Sequence, residues 1–111
     1  MSPEAIAQAQ LDAYNAQDLD AFVGWFAEDV TVADLNAAPI LQGRDAYRAR
    51  YADLFAQYPQ NRVELLSRMV IGLTVIDHER VFRSPGATPF EVAAIYSLAG
   101  DKIARVDFVK A

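Results

Sequence analysis

Few side chains in this 111-residue chain belong to the types that do covalent or acid–base chemistry. His78 is the sole histidine and there is no cysteine, which excludes thiol nucleophiles, thiolate-bound zinc and disulfides. One imidazole and carboxylates without ligand spacing do not build a tetrahedral metal site. No phosphate-cradling glycine loop, serine elbow or zinc-helix motif occurs. Acid–base work remains, and it needs a carboxylate, an imidazole or a hydrogen-bond donor in a sheltered place. Asp34 closes the run Val30-Thr31-Val32-Ala33-Asp34, and strand alternation puts it on the face of Val30 and Val32. Against an apolar wall it would lose hydration, its pKa would rise, and it would become a stronger base than a solvated aspartate. It equally suits a strand end that hydrogen-bonds the following loop. In Val75-Ile76-Asp77-His78-Glu79-Arg80-Val81-Phe82, His78 shares parity with Ile76, Arg80 and Phe82, while Asp77 and Glu79 take the other face. Neither face is clean, so parity alone does not decide. His78 is a candidate second acid or base near neutral pH, or a residue that orients Asp34; an ordinary hydrogen-bonded sheet histidine fits as well. Arg80 could hold an anionic substrate, pair with Asp34, or stand solvated at a strand edge. Gln10 lies in an apolar helical stripe, where its amide could donate one hydrogen bond or tip toward solvent.

These residues need elements to position them. Ser2, Pro3 and Glu4 form a helix start, followed by Ile6, Ala7, Leu11 and Tyr14 at helical spacing with Gln10 among them. Asp18 caps a second helix, in which Leu19, Phe22, Val23 and Phe26 form a stripe and Glu28-Asp29 is the end. Val30 to Asp34 reads as a short strand and Asn36 to Gly43 as a loop. A third helix runs from about Arg44 to Tyr58, stopped by Pro59. Beyond it the period becomes two: Arg62 to Ile71, a turn at Gly72, Leu73 to Phe82, the loop Ser84 to Pro89, then Phe90 to Leu98. Gly100-Asp101 is a hairpin signal, and Lys102 to Val109 returns as the last strand. The order α-α-β-α-β-β-β-β predicts an α+β domain with an antiparallel sheet.

Composition narrows the function classes. Ten basic and fifteen acidic residues give −5, and no Lys or Arg precedes Arg44. Such a chain is a poor counterion for phosphate, so nucleic acid is not an expected partner. No apolar run is long enough to span a membrane and no charged-then-apolar leader is present, so a cytoplasmic, membrane-free protein is expected. At 12.2 kDa, a single domain over residues 1–111 is expected.

The stretch Asn15-Ala16-Gln17-Asp18-Leu19-Asp20-Ala21-Phe22, leading to Phe26-Ala27-Glu28-Asp29-Val30-Thr31-Val32-Ala33-Asp34, resembles the nuclear transport factor 2-like superfamily. Within it, the SnoaL-like and ketosteroid isomerase-like branch is most similar. Gly43-Arg44-Asp45-Ala46 and the hairpin Gly100-Asp101-Lys102-Ile103 match too, and the resemblance runs over about residues 4 to 109. It implies a curved antiparallel-rich sheet wrapped around three N-terminal helices, a cone-shaped α+β barrel with an apolar cavity open at one end. It also implies that Asp34 is a general base acting beside a carbonyl, and it puts His78 on the cavity side. The family's oxyanion-hole tyrosine falls on Gln10, and its protonated aspartate on or near Ala94; Tyr14 is one turn further along. Losing both donors argues against an efficient ketosteroid isomerase.

The expected cavity lining is Tyr14, Trp25, Tyr51 and Phe55 from the first half of the chain. Met69, Arg80, Ala94, Tyr96, Val106 and Phe108 complete it from the strands. At such spacing most of the apolar ones suit plain core equally well, and Trp25 could flank the mouth or pack under the loop from Asn36. Arg105 and Asp107 resemble the Arg-x-Asp pair of epoxide hydrolases on this fold, but the register of Ala104, Val106 and Phe108 turns them outward. The expected function is a cofactor-independent small-molecule enzyme of the isomerase, cyclase or dehydratase type. Asp34 would be its catalytic base, helped by His78 or Gln10, on an apolar carbonyl compound such as a steroid-like or polyketide-like ring. The alternative is a non-catalytic ligand-binding or dimerisation domain of the same fold. Leu66, Val70 and Ile95 on the far sheet face lead to the expectation of a homodimer.

Overall fold

Ser2 caps the first helix, its hydroxyl accepting from the Ala5 N–H at 3.1 Å, and Pro3 occupies the first turn of α1 (Pro3–Asn15). In the computed structural model, which describes all 111 residues, α1 is followed by α2 (Leu19–Val23), β1 (Phe26–Asp34), β2 (Leu41–Gln42) and α3 (Arg44–Gln57). Four long strands complete the chain: β3 (Arg62–Ile71), β4 (Thr74–Phe82), β5 (Phe90–Ala99) and β6 (Lys102–Lys110). They form one six-stranded sheet in the order β2-β1-β6-β5-β4-β3. All neighbours are antiparallel except β1 and β6. The sheet curves around the helices, its edge strands β2 and β3 stay unpaired with each other, and the nuclear transport factor 2-like α+β architecture is present.

Three local readings need correction. The α2 stripe does not extend to Phe26: the helix stops at Val23, and Phe26 pairs with Ile103 of β6. Phe26 is fully buried, so helix and strand both satisfy its burial, and the ladder to β6 decides between them. Leu41-Gln42, expected within a loop, pairs with Thr31 and Val32 as an edge strand. The alternation in β3 is broken by a bulge between Leu65 and Ser67, which reverses the parity of everything after it. Val70 therefore lies opposite the fully buried Val75, on the inner side, while Met69 and Ile76 take the far face with Ile95.

Aromatic rings of α1, α2 and α3 fill the concave side. Phe22 sits among Tyr51, Phe26 and Tyr47 at centroid distances of 5.0, 5.1 and 5.6 Å, contacts worth about 0.5–1.5 kcal/mol each beyond area burial. The end of α1 is fixed to the edge strand: Asn15 Nδ2 donates to the Val63 carbonyl at 2.9 Å and the Val63 N–H donates to Asn15 Oδ1 at 2.8 Å. The helices thus stand above the inner sheet face, and the space between them becomes the site.

Candidate active site

β4 supplies the central group. Its inward side chains are Val75, Asp77, Glu79 and Val81, all buried, while Ile76, His78 and Arg80 face outward. Two carboxylates consequently enter the interior, and each meets a different environment. Asp77 is fully buried and takes a two-pronged contact from Arg68, Nε to Oδ1 at 2.7 Å and Nη2 to Oδ2 at 2.9 Å. Arg68 Nη1 also donates to Gln8 Oε1 at 3.0 Å, tying β3 and β4 to α1. Burial of this kind is tolerated only when geometry and hydrogen bonds compensate lost hydration.

Glu79 has no such partner. It is 5% exposed and makes neither an ion pair nor a hydrogen bond with the protein, and its carboxyl lines a cavity of about 310 Å³ between α1, α3 and the sheet. That volume lies at the lower end of small-ligand sites. Burial, with the charge of Asp77 two residues away adding to it and Arg68 opposing both, raises the Glu79 carboxyl from 4.5 to about 8. Near neutral pH it can therefore both give and take a proton.

Around Glu79 stand phenols. Tyr96 Oη accepts from Gln10 Nε2 at 3.1 Å, and the other Gln10 donor contact goes to the Ala7 carbonyl at 3.0 Å. Gln10 is thus committed to the protein, while the Tyr96 hydroxyl proton remains free to donate. Tyr14 Oη accepts from Asn61 Nδ2 at 2.7 Å and, more weakly, from Arg83 Nη1 at 3.4 Å. Burial pushes Tyr51 up to about 12 and holds Tyr96 well above the ordinary phenol range. Burial also raises Tyr14, with Arg83 pulling it back. All three stay protonated donors. Leu11, Phe22, Val92 and Phe108 provide apolar wall between them.

Of the residues expected at the site, Gln10, Tyr14, Tyr51, Tyr96 and Phe108 border the cavity. Asp34 does not. It keeps its parity with Val32 and pairs with Phe108 across the ladder, yet its side chain is 54% exposed and 3.6 Å from Lys110 Nζ. Leu35 and Asn36 beside it are exposed as well, so at this end the inner face of β1 meets solvent instead of an apolar wall. His78 is the second correction: it lies on the outer face, half exposed and paired with Glu91. Arg80 joins the same outward group, 3.6 Å from Glu64 and 3.8 Å from Glu91. Met69 is 55% exposed on that face. Trp25 packs against the core near Lys102, Phe55 sits edge-on to Tyr14, and Ala94 and Val106 are fully buried in the core; none borders the cavity. Arg105 and Asp107 pair with each other on the outer face.

Glu79, Asn61, Arg83, Phe90 and Lys110 escaped the sequence reading. Two alternations compete in β4, Val75 and Val81 with two acids between, or Ile76 and Phe82 with His78 and Arg80 between. The tiebreak was the clean face of β5, Phe90 to Leu98, once Glu79 is set opposite Val92. The irregular connection from Arg83 to Pro89 hides that register from pattern reading.

The family described as the SnoaL-like domain matches residues 7–106. No curated protein matches. Among solved structures, an uncharacterized cystatin fold protein from Novosphingobium aromaticivorans is 36% identical, covering 99% of each chain with a TM-score of 0.92. A candidate polyketide cyclase from Sinorhizobium meliloti is 24% identical over 98% of this chain and 100% of that one, TM-score 0.80. A candidate ketosteroid isomerase from Kribbella flavida is 16% identical over 98% of this chain and 77% of that one, TM-score 0.83. The latter two likenesses speak for the fold alone. No helix is long and apolar enough to cross a membrane.

Proposed function

Because this chain belongs to the SnoaL-like domain family, we propose that its cavity transfers protons next to the carbonyl of an apolar ring compound, with Glu79 as the acid–base residue. One observation carries the reading: a buried carboxyl, raised to about 8, that opens into a cavity without any protein partner. In carboxylate form, Glu79 removes the proton beside the carbonyl. The developing enolate oxygen accepts from the Tyr96 or Tyr14 hydroxyl, whose proton is retained because burial disfavours the phenolate. The Glu79 carboxylic acid then returns the proton to a different carbon, to an aldol alkoxide, or to a departing hydroxyl. Those three endings are isomerisation, cyclisation and dehydration. Gln10 holds Tyr96 in place and does not itself need to meet substrate.

The test is exchange of the α-protons of 2-tetralone in heavy water, followed by NMR. Glu79→Gln lowers the protein-dependent rate by about 10²-fold or more, and Tyr96→Phe lowers it less. Asp34→Asn and His78→Gln leave it essentially intact. Unchanged exchange in Glu79→Gln overturns the assignment. Binding of 2-tetralone with no exchange in the unmodified protein replaces catalysis by simple ligand binding.

The outer sheet face suits a homodimer. Met69, Ile76 and Ile95 are successive cross-strand neighbours there, with Val109 nearby. The charged group Glu64, Arg80, Glu91 and His78 borders them and sets the orientation of a second copy.

A further inference from the structure

The cavity has a charge gradient that proton transfer does not use. Its buried end carries Glu79, Gln10 and Tyr96, and its exposed liners include Arg50, Asp53, Phe90 and Lys110. Between them stands Arg83, which borders both the cavity and the shallow groove of Tyr58, Pro59 and Ser84 outside it. Arg83 therefore occupies the threshold. Its guanidinium is held in place: Nη1 donates to Asn61 Oδ1 at 2.8 Å, and the group lies 5.2 Å from the Phe90 ring centroid and 5.8 Å from that of Tyr58. It makes no ion pair, and Nε and Nη2 donate to no protein acceptor. Arg50 likewise has no carboxylate partner, while Lys110 is shared with Asp34. In a chain of net charge −5, an ordered and unpaired guanidinium at the mouth of an apolar well is a concentrated departure from the rest of the surface.

We propose that the cavity takes amphipathic acids, with the ring system in the well and a carboxylate at the mouth held by Arg83, supported by Arg50. An ordered guanidinium with free donors matches a carboxylate better than a mobile ammonium does, because less side-chain freedom is lost per hydrogen bond. The spacing fits a ring acid. Arg83 directly follows the end of β4, four residues beyond Glu79, so their Cα atoms are no more than about 14 Å apart. Both side chains project into the cavity, which shortens the span to that of a two- or three-ring compound. The inference rests on the cavity reading above and adds its substrate class: a cyclic carbonyl compound that also carries an acid group remote from the reacting carbon.

Calorimetric titration with naphthalene-2-carboxylate and its neutral analogue naphthalene-2-carboxamide tests it. The acid binds at least about tenfold more tightly than the amide in dilute buffer, as a charge-assisted contact requires, and the difference shrinks with added salt. Arg83→Gln lowers affinity for the acid by about tenfold and leaves the amide unaffected, which also reports that the variant is folded. Arg50→Gln, which removes no hydrogen bond or ion pair within the fold, weakens the acid alone by a smaller factor. Arg62→Gln, outside the cavity, changes neither. Equal affinities for acid and amide, or an Arg50→Gln and Arg83→Gln pair that leave acid binding intact, overturn the proposal. That failure would leave exchange of 2-tetralone by Glu79 untouched, whereas loss of the exchange chemistry would leave the preference for the acid standing.

Discussion

Replacing Glu79 by glutamine should remove most of one pH dependence of stability. In the folded chain the carboxyl titrates near 8, against 4.5 when solvated, so between those values the folded state holds a proton that the unfolded state has released. Stability contributed by this group is complete below about pH 4.5 and drains away as pH climbs through about 8. The full gap corresponds to about 5 kcal/mol at 1.36 kcal/mol per pH unit, a ceiling because water entering the open cavity lowers the cost of the charge. That is comparable with the total stability of a small domain. Thermal melts followed by circular dichroism from about pH 5 to about pH 9 would show the unmodified protein losing melting temperature steeply, and Glu79→Gln losing much less. At the alkaline end the variant should melt higher by roughly 10–20 °C, using about 4 °C per kcal/mol for a domain of this size. Parallel curves for the two proteins would refute the reasoning, because they would mean that the carboxyl is as easily ionised in the fold as in water. The proton-transfer proposal would then lose its physical basis as well.

Two further outcomes follow from the structure. Arg68→Ala or Asp77→Ala alone should destabilise by about 3–5 kcal/mol in denaturant titrations, since each leaves one buried charge unmatched, whereas Arg68→Met combined with Asp77→Leu should recover most of the loss. Ile95→Lys should shift sedimentation from dimer to monomer while leaving 2-tetralone exchange in place; a monomeric unmodified protein would remove the outer-face assembly.

Local order in this chain was readable wherever one physical signal acted alone. Ser2 and Asp18 cap helices because their side-chain oxygens reach free N–H groups three residues on, and the hairpin at Gly100 needs a residue that tolerates φ of 59°. The long strands announced themselves by alternation, and the resemblance around Asn15 to Asp34 led to the right family and architecture. Gln10, Tyr14, Tyr51 and Tyr96 border the cavity because the helical stripes and the clean face of β5 turn them toward the interior. Asp34 was read with the right parity and the wrong surroundings: alternation fixes a face, but how far along that face the helices extend is a tertiary matter.

The sequence by itself determined the element order, the absence of thiol chemistry, and the apolar and aromatic stock from which a cavity could be walled. Tertiary structure alone decided which carboxylate is sheltered. The register between β4 and β5 turns Asp77 and Glu79 inward and His78 outward, and the bulge at Leu66 brings Arg68 to the inner face, where it neutralises one acid and leaves the other facing empty space. The physical reason is that a strand's two faces are symmetric until its neighbours cover one of them. A single residue's change of register exchanges a solvated charge for a buried one.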